Sequence, residues 1–267
     1  MGIRIGVVAF AVATLALCGS VAHAARATDA PGPEKSILDA DQKVVDAAQA
    51  AVHAGGVTAL KDFVSALRAV LDHAPHPYHK IEERPGVIYF RTNDSAEAQR
   101  FTLMRAAAAT MGRKSLSIVN IADPYPEAAF LMGSYDNETS QFAAAMVVLD
   151  EGLALEPDYA NLISEKAATV SMLNRHEESL AIYAKGLATI DPLTVDWVKA
   201  RFLRGEGFQL TELGRYDEAE KAYRESLKLE PGHGGALHEL AYIAQVRAGA
   251  ARQGSVLLNG EDAAKPH

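Results

Sequence analysis

The chain has 267 residues, 49% hydrophobic and 22% charged, with 26 basic residues against 34 acidic ones for a formal net charge of −8. That apolar content excludes a disordered chain, and the length allows one large domain or two small ones. The acidic balance argues against nucleic-acid binding through a broad basic face, and a single cysteine, Cys18, excludes an intramolecular disulfide or a cysteine zinc site.

The first residues read as an address. Arg4 supplies one positive charge, an apolar run follows from Ile5 to Leu17, and Ala22-His23-Ala24 is a small-x-small cleavage pattern. This layout predicts a signal peptide over 1–24, cleaved after Ala24, and hence a periplasmic or secreted chain. The apolar run is shorter than the roughly 20 residues that span a bilayer. A lipoprotein box at Leu15-Ala16-Leu17-Cys18 is disfavoured by the large Leu17, where a small residue is wanted. Cleavage leaves 25 basic residues (26 less Arg4) against 34 acidic, a net charge of −9, and no thiol to mispair in an oxidising compartment. No second apolar run approaches spanning length. Residues 25–34, with Pro31-Gly32-Pro33, read as a linker.

Residues 35–125 predict a small α+β cap. Ile37, Val44, Val45, Ala48 and Val52 mark one face of a helix over Glu34–His53, ended by Gly55-Gly56, and the pattern repeats over Val57–Asp72. Pro85-Gly86 introduces a strand at Val87–Phe90. Asp94-x-x-Glu97 opens a helix to about Met111, and Leu116–Ile121 is a second strand. Two strands joined by a helix imply a parallel pair, packed on the helices or extended by a second copy of the chain. His73, His76 and His79 are a metal candidate for zinc or copper, with Glu82 and Glu83 following. Against that, Pro75 and Pro77 preclude a regular helix presenting all three, which leaves a loop of solvated histidines as the other reading.

In the second half three strings align: Glu151 to Pro157, Lys185 to Pro192 and Glu225 to Pro231, each ending a helical stretch in proline. The fullest copy, Ala200–His233, has Leu203, Gly207, Leu210, Gly214, Tyr216, Ala219, Tyr223, Leu227 and Pro231. Ile163, Ala167, Val170, Ser179, Tyr183, Leu187 and Pro192 make the preceding copy, and Ala129, Gly133, Ala145, Leu149, Leu153 and Pro157 the first. This pattern resembles the tetratricopeptide repeat (TPR) family, with Glu206 departing from the usual leucine. The resemblance implies a mainly α fold: a helical solenoid of about three helix pairs plus a capping helix over 126–250, preceded by the α+β region. It puts Gly133, Ala167 and Gly207 at helix crossings, with Leu149, Tyr183 and Tyr223 filling the space between pairs. Ala145 to Ser179 is 34 residues but Ser179 to Ala219 is 40, so the first helix of the last repeat is expected to start early, near Thr194. Leu237, Leu240, Ala241 and Ala244 predict the buried face of the capping helix, and 251–267 a mobile tail.

Chemistry is sparse. His176-Glu177 and His238-Glu239 begin like zinc-protease helices, but Leu180 and Tyr242 stand where the second histidine belongs. There is no nucleophile elbow or phosphate loop, and Gly205-Glu-Gly207 lies within a repeat helix. The expected function is therefore non-enzymatic and cofactor-free: an exported adaptor holding a protein or peptide. The resemblance implies a concave groove carrying Asn161, Ser164, Ser171, Arg201, Arg204, Phe208, His238 and Tyr242. Two arginines in an acidic chain favour an acidic partner, unless they pair with carboxylates of adjacent helices. The family's lysine–asparagine clamp is not matched, because Phe130 and Ser134 occupy its first-repeat positions. The rivals are a metal-binding protein using His73, His76 and His79, an enzyme of unrecognised type, and self-association through the helix at Ile37–Val52.

Overall fold

The structure is a computed structural model and describes residues 32–93, 95–110, 117–189 and 196–249. The signal peptide expected at 1–24, the tail at 251–267, Asp94, Met111, Leu116 and Thr194 lie outside the described residues. The chain divides into two compact units, one running to Met132 with Ala154–Glu156, the other comprising Gly133–Leu153 and the residues from Pro157 on.

In the first unit, α1 (Gly32–Gly55) takes in the end of the stretch expected to be linker. Val45, Ala48 and Val52 form its buried stripe. Gly56, at φ 77°, reverses the chain in a conformation that suits glycine. The helix expected over Val57–Asp72 is broken at Phe63 into a 3-10 turn (Val57–Asp62) and α2 (Val64–Asp72). The break lets Leu60, Leu67, Val70 and Leu71 all become buried. The self-association reading needs α1 to lend its apolar face to a groove, yet Val45, Ala48 and Val52 are already used within this unit.

The sheet has one strand more than the sequence predicts. β1 (Ile81–Arg84) pairs antiparallel with β2 (Val87–Arg91) across Pro85-Gly86, from Ile81↔Phe90 to Arg84↔Val87. Gly86 at φ 84° fits the left-handed position of such a turn. From β2, α3 (Ser95–Thr110) crosses to β3 (Ser117–Ile121), which pairs parallel with β2 in the order β1-β2-β3. Phe101 of α3 stacks on Phe90 of β2 at 4.2 Å between centroids.

Among the described residues seven helices follow: α4 (Pro124–Glu138), α5 (Phe142–Leu155), α6 (Ala160–Met172), α7 (His176–Thr189), α8 (Asp196–Glu212), α9 (Tyr216–Leu229) and α10 (Gly234–Arg247). The turns inside the pairs share one geometry. Ser140, Asn174 and Gly214 take φ 60°, 58° and 72°, and the next residue donates its N–H five residues back: Gln141 to Asp136, Arg175 to Val170, Arg215 to Leu210. This is a Schellman closure, repeated three times at the register of the sequence repeats. The six-residue excess is absorbed partly in α8, which has 17 residues against 13 in α6.

Small residues accept large ones. A Cβ on Gly133 would stand 2.4 Å from Leu149, one on Gly205 2.4 Å from Tyr183, and one on Gly207 2.9 Å from the Tyr223 ring. Ser179 donates its hydroxyl to the Ala167 carbonyl at 2.7 Å, satisfying a polar group where its helix meets α6. Two expectations change. Leu227 is half-buried at the edge of the Leu210/Tyr223/Ile243 cluster and not fully enclosed. The capping helix is rotated from the expected face: Ala236, Glu239 and Ile243 are buried and Leu240 packs on the cluster, whereas Leu237 is 50% exposed and Ala241 and Ala244 face out.

Candidate functional site

α6 and α8, the first helices of successive pairs, pack against each other, and α8 also meets α10. Helical spacing sets Asn161, Ser164, Ala168 and Ser171 along one face of α6, and Arg201, Arg204 and Phe208 along one face of α8. Arg201 donates from Nη2 to the Asn161 amide oxygen at 3.0 Å. Its guanidinium lies 5.3 Å from the Trp197 ring centroid and 6.0 Å from that of Phe202. Burial lowers the affinity of this guanidinium for its proton, and the nearby Tyr183 and Glu165 partly compensate. Among the described residues no carboxylate lies within ion-pair distance of Arg201, and its buried Nε takes no hydrogen-bond partner.

Arg204 is placed differently. It makes a part-buried ion pair with Glu230, so for this residue the pairing alternative is what the structure shows. Ser171 donates to the Gln209 side-chain oxygen at 3.1 Å, and a ring nitrogen of His176 approaches the same oxygen at 3.0 Å. Ser164 and Phe208 are buried, and the Ser164 hydroxyl has no partner among the described residues. Of the α10 residues, His238 is exposed, 3.6 Å from Glu239, and Tyr242 packs on the terminal cluster. The structure thus brings Asn161 and Arg201 together, while His238 lies beside Glu239 on α10.

Glu165 is the residue that sequence reading missed. It is buried between Asn137, which donates to it at 2.8 Å, and the Arg201 region. Burial raises its pKa, and the hydrogen bond from Asn137 and the charge of Arg201 work against the rise. Its spacing of four from Asn161 was the available signal.

A second polar cluster belongs to the α+β unit. Tyr78 donates to the buried Asp123 carboxylate, and Asn93 and Asp123 exchange side-chain and backbone bonds at 2.8 and 2.9 Å. Lys80 bridges Glu97, at 2.8 Å, and Glu156. Burial pulls the Lys80 ammonium down, yet the two glutamates outweigh it and hold it charged, while burial pushes Glu156 up to about 7 despite Lys80. The histidines of the proline-rich loop do not converge. His73 turns its Nδ1 to Asp41 at 3.0 Å, and among the described residues no group of three His, Cys, Asp or Glu side chains is placed to hold a metal.

The repeated Schellman turns and the seating of large residues over small ones define a helical-repeat protein of TPR type. The tetratricopeptide repeat family model matches residues 200–233. A stretch of 93 residues is 31% identical to Protein STIP1 homolog of Dictyostelium discoideum, covering 35% of this chain and 15% of that protein's length. Among solved structures, the first TPR of Spaghetti (RPAP3), bound to HSP90 peptide SRMEEVD, aligns at TM-score 0.41 and 20% identity over 46% of this chain and 93% of that one. BtubC (BKLC) from P. vanneervenii aligns at 0.41 and 13% identity over 86% and 99%. The family match thus falls on one repeat of this chain, and the chain spans 15% of the length of the STIP1 homolog it resembles.

Proposed function

We propose that this chain is an exported, non-enzymatic adaptor that holds an acidic protein or peptide segment against the first-helix face of α6 and α8. One observation carries the reading. Arg201 is a half-buried cation whose only hydrogen bond among the described residues is to a neutral amide, with its Nε still unused. The side chain as a whole is only half-buried, and an incoming carboxylate gives its guanidinium the charge-assisted bond that a neutral amide cannot.

The test uses a fluorescent decapeptide of alternating aspartate and alanine, followed by crosslinking capture from the native periplasm. Arg201→Gln should weaken the decapeptide at least tenfold while circular dichroism stays unchanged. Equal binding by the folded variant removes Arg201 from the site. Export is tested by fractionation and N-terminal sequencing: the mature chain should begin at Ala25, and an intact Met1 in the cytoplasm overturns it.

A further inference from the structure

The α+β unit contains a cavity of about 410 Å³ with no part in the reading above. Its polar lining is Lys35, His73, Glu82, Arg84 and Arg91. Leu38, Tyr89, Ile121 and Tyr125 give it an apolar wall. The size and the mixture of apolar wall with a few charged groups are those of a small-molecule site.

His73 is fixed in a particular way. Its Nδ1 lies 3.0 and 3.2 Å from the two carboxylate oxygens of Asp41, which is buried. An ionised carboxylate only accepts, so Nδ1 carries the proton and Nε2, on the opposite edge of the ring, is left for the cavity. The cations are also partly committed. Arg84 pairs with Glu82 at 2.7 Å and stacks over Tyr89 at 5.1 Å. Asp123 feels Arg91 but has its own donor in Tyr78 and lies outside the lining. Lys35, Arg84 and Arg91 bring three cations to the lining against the one carboxylate of Glu82. A lining richer in cations than in carboxylates suits an anion.

We propose that this cavity binds a small amphipathic monocarboxylate, its carboxylate between Arg91 and Lys35 with His73 beside it, and its apolar body against Leu38, Ile121 and Tyr125. The guanidinium fork of Arg91 matches a carboxylate in plane and charge, and the wall rewards a chain of several methylenes. Acetate is too short to use the wall.

Calorimetry on the full chain tests this with octanoate, its neutral isostere octanamide, and acetate. Octanoate should bind saturably at one site, with octanamide and acetate at least tenfold weaker. Arg91→Gln and His73→Gln should each weaken octanoate at least fivefold. Lys35→Gln, near the start of α1, provides the same reading if Arg91→Gln does not fold. Arg201→Gln should leave octanoate affinity unchanged, which separates failure of this site from failure of the peptide site. Saturable octanoate binding that octanamide does not share and that a folded Arg91→Gln or Lys35→Gln protein loses establishes the site. Absence of saturation, equal binding of octanamide, or unchanged affinity in both variants overturns it.

Discussion

Tyr223 is 2% exposed, and three of its ring atoms lie 2.9–3.0 Å from where a Cβ on Gly207 would stand. A ring enclosed that way cannot swing aside, so Gly207→Leu must push the α8–α9 crossing apart. The expected loss is about 1–3 kcal/mol, seen as a lower midpoint in urea. Gly55→Ala is the matched control: its nearest neighbour is Ala59 Cβ at an ordinary 3.4 Å, and stability should hold or rise by up to ~1 kcal/mol. An unchanged midpoint for Gly207→Leu would mean that the close approach does not exist. The two arginines separate at this scale as well. Sequence spacing puts both on one face of α8, but spacing says nothing of Glu230, twenty-six residues on, which pairs with Arg204. Arg204→Glu therefore sets two carboxylates together in a part-buried position. It should cost ~1–3 kcal/mol, between the values for exposed and buried pairs, measured by thermal unfolding.

At the scale of elements, the helices of the repeats were legible because their apolar and small residues recur at a fixed register. The turns between them were not. Their left-handed closing residues are Ser140 and Asn174 in two copies and glycine only at Gly214, so composition hides a shared geometry. β1 was missed because Ile81-Glu-Glu-Arg84 is a charged edge strand with no alternating pattern, although charge is how edge strands avoid further pairing. The face of α10 was misread because Glu239 interrupts the true stripe, while Leu237, Ala241 and Ala244 imitate one. The tie among β1's flank, α3 and the end of α5 yields a pH prediction. Glu156 has its carboxyl raised from 4.5 to about 7, chiefly by burial. Between those values the folded state binds the proton more tightly than the unfolded chain, so this group's contribution falls as pH rises through the window and is level above it. Glu156→Gln removes the titration. The stability difference, variant minus wild type, should grow from pH 4.5 to 7 and then stay flat in urea unfolding. A difference independent of pH would show that Glu156 titrates normally.

For the whole molecule, a net charge of −8 means that an acidic partner is repelled at long range and attracted only locally. The two effects respond differently to salt. Long-range repulsion between exposed charges is screened beyond about 10 Å at 0.1 M, whereas a contact at half-buried Arg201 is screened much less. For the aspartate–alanine decapeptide, raising salt from 20 to 200 mM (chosen conditions spanning Debye lengths of roughly 20 to 7 Å) should therefore leave the association rate level or faster. Arg201→Gln should act mainly on dissociation, speeding it about tenfold, because removing a desolvated charge contact shortens residence more than it alters encounter. That ratio should persist across the salt series. A rim cation behaves oppositely: its loss slows association, and the deficit vanishes at high salt. Stopped-flow traces of wild type and Arg201→Gln distinguish the two. An effect confined to the association rate and erased by salt would move the binding cation from Arg201 to the surface of the array.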